Sequence, residues 1–537
     1  MTSAQSWEKV AEAKRARLAE AIPPEYRIPE QQLPAESQLD VTRWPKESGW
    51  FSRQELEVTD SPATNILQKI ASRTWSSEKV IRAFCKRAAA AHQLTNCLSD
   101  AFFEEAVERA KALDDHLNRT GELKGPLHGL PISLKDNFNI KGKDSTVGFT
   151  SLVNDPAEYN ATLVDVLEKL GAVRYCKTNV PTAMMIAESV NNVFGRTVSP
   201  LNRKVTSGGS SGGESALIAF GGSPLGIGTD IGGSLRIPAA CTGIFTIRPS
   251  FGRFSTQRCR SGLAGQEAVA SVNGPMARRL EDIITYSKAV INSQQWLLDP
   301  KVLPIPWREV EHKKKLKIAV LKNDGICMPT PPVTRALQEV SDSLRKAGHT
   351  LVEWDAKLHA KALELLSRMF VADGGQSVKN LLAPTQEPIR PEMKMYQDAE
   401  ALVGIDLWKL HLERSELQRQ YLELWMSYGD LDAILAPTTP YASVPHSHFK
   451  YVGYTGVYNV VDYSAVSFPT GLTVDKTKDK SFADAKVQSE YCQDARDSYD
   501  AELLHGYPIS LQLIAQRLEE EKVLAMTGTV LEAIKMA

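Results

Sequence analysis

The sequence predicts an α/β protein whose helices cover a mixed or largely parallel sheet. Short apolar runs bounded by Gly and Pro alternate with segments whose apolar residues recur at helical spacing. The alternation occurs between residues 127 and 228 and again between 316 and 354. Hydrophobic residues make up 42% and charged residues 24% of 537, a balance suited to a chain that buries a large core.

Taken in order, Trp7 to Leu39 mixes a charged helical stretch with Pro23, Pro24, Pro29 and Pro34, which suggests an arm wrapped on the body. Asn65 to His92 and Ala101 to Leu117 read as two amphipathic helices. Leu127 to Leu134, entered through Gly129 and Pro131, reads as a strand. Ala161 to Leu170 then reads as a helix and Gly171 to Cys176 as the next strand, a βαβ rhythm. A glycine-rich loop, Asn202 to Gly213, leads into a helix over Glu214 to Phe220, and Pro224 to Gly228 leads to another buried segment. Leu316 to Leu321 and Thr350 to Trp354 read as strands on either side of a helix over Val333 to Ala347, which Pro331 and Pro332 introduce. Residues 384–428 are densely charged at helical spacing and read as an insertion or cap, followed by the apolar Leu431 to Ala436. Lys476 to Lys486 reads as a charged surface loop, and no short-period repeat is present. The division expected is an N-terminal arm and helix at 1–54, a single domain at 55–530 and a tail at 531–537.

Charge and cysteine usage exclude several functions. The 63 Lys plus Arg nearly cancel 64 Asp plus Glu, so no global field favours nucleic acid or anionic membrane. Seven Cys show neither a CxxC pair nor Cys/His spacing for a metal, so neither a zinc site nor a disulfide scaffold is expected. A reducing, cytoplasmic setting follows as the simpler expectation. No secretory h-region opens the chain, and no apolar run reaches the roughly 18 to 20 residues of a spanning helix, so no integral membrane association is expected.

The informative segments are Thr206-Ser207-Gly208-Gly209-Ser210-Ser211-Gly212-Gly213-Glu214 and Gly228-Thr229-Asp230-Ile231-Gly232-Gly233-Ser234-Leu235-Arg236-Ile237-Pro238. Glycine lets backbone approach a ligand, and serine carries acyl chemistry when a base raises its reactivity. The segments lack the G-x-x-x-x-G-K-[ST] phosphate loop, a dinucleotide fingerprint and a G-x-S-x-G elbow centred on Ser234. Cys241 has no adjacent catalytic His arrangement and reads as a small buried residue. Met184, Met185 and Ile186 read either as core or as an apolar substrate wall.

Together these segments resemble the signature of the amidase signature family: GGSSGG, an acidic residue before glycines and serine, and a closing S-[apolar]-R-x-P. Pro131-Ile132-Ser133-Leu134-Lys135-Asp136-Asn137 resembles that family's lysine motif. Lys177-Thr178-Asn179, Asn192 to Thr197, Gly274-Pro275-Met276-Ala277-Arg278, Pro437-Thr438 and Pro508 to Gln512 extend the resemblance over roughly residues 55 to 530. The branch it suggests is that of fungal general amidases or acetamidases, with fatty-acid amide hydrolases as relatives.

The resemblance implies a large α/β/α domain around a twisted mixed sheet and a Ser-Ser-Lys triad. Lys135 is then the base, Ser210 the proton relay behind a cis Gly209–Ser210 bond, and Ser234 the nucleophile. The backbone of Ile231, Gly232, Gly233 and Ser234 is the expected oxyanion hole. Met184, Met185, Gly209 and Ser210 are pocket candidates; Ser211, Asp230 and Arg236 are expected to support the loops. The implied reaction takes an amide substrate and water to carboxylate and ammonia or amine, with no cofactor or nucleic-acid partner and room for a homodimer. Small aliphatic or aromatic monocarboxylic amides are the expected substrates. A bulky-amide hydrolase, an amidotransferase subunit and a catalytically silent binding scaffold are the alternatives.

Overall fold

A computed structural model describes residues 6–311, 313–480 and 487–536. Eleven strands form its main sheet: β1 (Leu98–Ala101), β2 (Pro131–Lys135), β3 (Val173–Thr178), β4 (Leu225–Asp230), β5 (Phe245–Arg248), β6 (Val272–Ala277), β7 (Lys317–Val320), β8 (Thr350–Glu353), β9 (Ala433–Pro437), β10 (Ser464–Thr473) and β11 (Pro508–Ala515). Their order is β1-β3-β2-β4-β6-β5-β10-β11-β9-β7-β8. The sheet is mixed and not largely parallel. Parallel pairing joins β2 to β3 and β4, and β7 to β8 and β9, while the other six pairings are antiparallel.

The parallel segments are those the sequence pattern anticipated, because a parallel neighbour needs a long crossover and a helix leaves a readable 3.6-residue period. Thr162–Lys169 connects β2 to β3, Gly212–Phe220 lies between β3 and β4, and Pro331–Lys346 connects β7 to β8. Asn65 to His92 is not one helix. It divides into Ala63–Ala71 and Ser77–Thr95, with Arg73 at φ 58° and the Ser76 hydroxyl accepting the Lys79 N–H at the second start.

Both faces of the sheet are covered. Ile318, Val320, Leu435, Val466, Leu511 and Leu513 pack on one side with the helices Pro331–Lys346 and Glu520–Met536. Their alternate neighbours Ala319, Ile434, Ala465 and Ile514 pack on the other with His359–Phe370 and Gly453–Val460. This strand periodicity, apolar on both faces, builds the α/β/α layering.

At the N-terminus, Trp7–Glu20 is helical, and its Lys14 reaches Asp144 at 3.0 Å in buried surroundings. Within 384–428 the longest element is the helix Gly404–Ser427, which buries Leu410, Leu417, Tyr421 and Trp425 against the body. Residues 531–536 continue the helix Glu520–Met536. Of the expected surface loop at 476–486, residues 481–486 lie outside the described residues. Among the described residues, no helix is long and apolar enough to cross a membrane.

Candidate active site

Lys135 ends β2, where the strand alternation turns its side chain to the same face as Ser133. It is fully buried. Its Nζ donates to Ser210 Oγ at 2.7 Å and to Thr229 Oγ1 at 2.7 Å. Burial pushes the Lys135 amine down to about 7, against the opposing pull of Asp230 and Glu214.

Ser210 stands in the loop before the helix Gly212–Phe220, follows a cis Gly209–Ser210 bond and is 1% exposed. Gly209 has no room for a side chain: a Cβ there would lie 2.6 Å from the Ile186 carbonyl oxygen. Ser234 lies in the turn between β4 and the helix Arg236–Thr242 and is half-buried, so it is more open than Lys135 and Ser210. Ser211 ties the two serine loops together. Its N–H donates to the Ser234 carbonyl at 3.2 Å and its Oγ to the Thr229 carbonyl at 3.3 Å.

The turn carrying Ser234 is held by Asp230. Its carboxylate accepts the N–H groups of Gly233 at 2.8 Å and Leu235 at 3.2 Å, the Asn459 amide at 2.8 Å, and Arg236 Nε and Nη2, each at 3.1 Å. Asp230 and Arg236 are both fully buried. Burial alone would raise the Asp230 carboxyl, but Arg236, Arg248 and Asn459 outweigh it and pull it down to about 2. Arg236 also donates to Asn459 Oδ1 at 2.7 Å and Gln512 Oε1 at 3.3 Å. Of the four backbone N–H groups expected at an oxyanion, that of Gly233 is turned to the Asp230 carboxylate in this structure. The Gly232 carbonyl accepts the Thr455 hydroxyl at 2.7 Å, and the Phe370 ring faces Gly232.

Beneath Lys135 lies Glu214, wholly buried and accepting hydroxyls from Ser133 and Thr178. Burial pushes its carboxyl up to about 7, against those two hydroxyls and Lys135. A cavity of about 1050 Å³ reaches the other side of Thr229, lined by Asn137, Met184, Asn273, Arg414 and Asn459 among others. Met184 lines this cavity, which shares Thr229 with the site but is lined by none of Lys135, Ser210 and Ser234. Met185 is absent from that lining and packs instead against the Val147, Phe149 and Tyr396 cluster. Among the described residues no group of His, Cys, Asp and Glu could hold a metal ion.

A buried amine beside a serine, in a loop tied through Ser211 to a second serine that follows two glycines, is an arrangement suited to acyl transfer. The family model described as Amidase matches residues 79–524. The chain belongs to the amidase signature family. An acetamidase of Emericella nidulans is 40% identical over 541 residues, covering 98% of each chain. One of Aspergillus oryzae is 39% identical over 537 residues, covering 97% of each. Among solved structures, a fatty acid amide hydrolase superposes with a TM-score of 0.94 at 35% identity, covering 98% of this chain and 95% of that one. As a member of the family, the protein is a hydrolase acting on amide bonds.

Sequence reasoning missed several contributors to this amidase site. Thr229 and Glu214 stand inside the quoted motifs, and their residue types match no catalytic pattern by themselves. Thr455, Asn459 and Phe370 come from distant segments, and only the fold brings them to the Ser234 turn. Gln512, in the Pro508–Gln512 motif, joins the network by holding Arg236 and donating to the Pro437 and Tyr454 carbonyls.

Proposed function

We propose that the chain hydrolyses carboxylic amides through Ser234, Ser210 and Lys135. The observation that carries this reading is the buried Lys135 amine, 2.7 Å from Ser210 Oγ and depressed toward neutrality. A neutral amine reverses that hydrogen bond and accepts it. As Ser234 Oγ attacks the carbonyl carbon, its proton passes to Ser210 Oγ while the Ser210 proton passes to Lys135 Nζ. The tetrahedral oxygen takes hydrogen bonds from backbone N–H groups of the Ile231–Ser234 turn. On collapse the C–N bond breaks, and Lys135 returns its proton through Ser210 to the leaving nitrogen. Water then attacks the acyl-enzyme by the same relay and releases the acid.

Small aliphatic or aromatic monocarboxylic amides are the proposed substrates, supported by the likeness to two fungal acetamidases. The likeness to a fatty acid amide hydrolase favours a second reading, a bulkier acyl chain. Steady-state hydrolysis of acetamide, a compact aromatic amide and a long fatty amide, with acid and amine both quantified, separates them. A kcat/KM preference for the fatty amide overturns the small-substrate reading. Probe labelling of a folded Ser234→Ala protein in the site would overturn the nucleophile assignment.

A further inference from the structure

Glu214 is a buried carboxylate that the proposed chemistry does not use, yet four elements are arranged around it. It stands in the first turn of the helix Gly212–Phe220. Ser133 of β2 and Thr178 of β3 donate to its two carboxyl oxygens. A side chain at position 226 of β4 would collide with Glu214 Oε1, so Gly226 leaves the space the carboxyl fills. Ser133 is two residues before Lys135 on the same face of β2, and Thr178 is the register partner of Lys135 on β3. The carboxyl is therefore clamped by the strand positions that aim the lysine.

We infer that Glu214 is a positioning residue whose carboxylate sets the proton affinity of Lys135 from beneath, and so the pH range in which the lysine serves as base.

The groups around the pair support that assignment. Among the described residues, Lys135 is the cation whose charge acts on Glu214, whereas Cys97, Tyr175 and Cys176 around it are held neutral by burial. The other anion acting on Lys135, Asp230, is already committed to Arg236, with Arg248 nearby. A negative charge on Glu214 acts on Lys135 through space and favours its charged form. Both groups lie near 7, so they titrate as a pair, and taking the Glu214 charge out of that pair lowers the pH at which the lysine loses its proton.

The inference rests on Lys135 being the base, and the test separates the two. The rate of labelling by a serine-reactive fluorophosphonate is followed from about pH 5 to 9 in wild type, Glu214→Gln, Thr178→Val and Lys135→Ala, each verified as folded. Glu214→Gln keeps the size of the side chain without its charge; its oxygen still accepts one hydroxyl, and its NH2 donates to the other in place of accepting from it. The acid limb is expected to move down by about one pH unit, so that one unit below the wild-type midpoint the rate relative to plateau rises about five-fold. Thr178→Val, which removes one donor from the carboxylate, is expected to shift the limb in the same direction by less. A purely structural role would lower the plateau and leave the midpoint in place. An unmoved midpoint in folded Glu214→Gln overturns the inference, and should that variant not fold, an unmoved midpoint in Thr178→Val does so. An acid limb that persists in Lys135→Ala removes the base assignment itself, and the inference with it.

Discussion

Replacing Asp230 with Ala removes an acceptor that holds five donors at once: two backbone N–H groups of the Ser234 turn, the Asn459 amide and two nitrogens of Arg236. The guanidinium then keeps Asn459 at 2.7 Å and Gln512 at 3.3 Å but has no counter-charge in a fully buried position. Breaking a buried pair from one side costs about 3–5 kcal/mol. Urea unfolding followed by tryptophan fluorescence should show a loss of that size, and probe labelling of Ser234 should slow because the turn loses its brace. The Asp230→Leu/Arg236→Met double variant should recover part of the stability, since it leaves no orphaned charge. The pH dependence has a defined sign. The Asp230 carboxyl is depressed in the folded state from 3.8 to about 2, so its contribution is present above the unfolded value and is lost as pH falls through the folded one. That shift corresponds to about 2 kcal/mol, and the gap between wild type and Asp230→Ala should narrow by about that much between about pH 4 and 2. An Asp230→Ala protein within about 0.5 kcal/mol of wild type near neutrality would refute the reasoning.

Three further outcomes follow from the site. Amide turnover should rise with pH through about 7 as Lys135 loses its proton, and Lys135→Ala should lose that limb and about 10²–10⁴-fold in kcat, read from a kcat pH profile. Ser210→Ala should lower the pre-steady-state acylation rate far more than Ser211→Ala, because Ser210 meets the lysine whereas Ser211 bonds the backbone; equal losses would contradict the relay. Gly233 has φ 134°, and an added Cβ would collide with Thr455 and lie 2.7 Å from Ile237. Gly233→Ala should therefore displace the turn and cost about 10²-fold or more in kcat/KM, measured against an unchanged circular dichroism spectrum.

How much of this was legible beforehand depended on whether a feature is local. Lys135, Ser210 and Ser234 sit in contiguous motifs that resemble the family's signature, so the resemblance named them, whereas a glycine-serine loop by its residue types reads as a flexible connection. Helices such as Thr162–Lys169 and Pro331–Lys346 were readable because one buried face repeats every 3.6 residues. The antiparallel strands β5, β6, β10 and β11 left a weaker mark: they are short or apolar on both faces, and a run buried on both sides lacks the alternation that distinguishes strand from buried helix.

The sequence by itself determined the α/β class, the family and the residues proposed for the chemistry. Tertiary structure decided that the sheet is mixed, that Thr229 shares the lysine amine, that Asp230 takes up the Gly233 N–H, and that Glu214 lies beneath Lys135. Each of these depends on strand order or on a contact between segments far apart in the chain. A lysine's proton affinity in particular depends on its buried surroundings: the solvent removed from around it and the charges left nearby become definite only when β2, β3, β4 and the Gly212–Phe220 helix pack together.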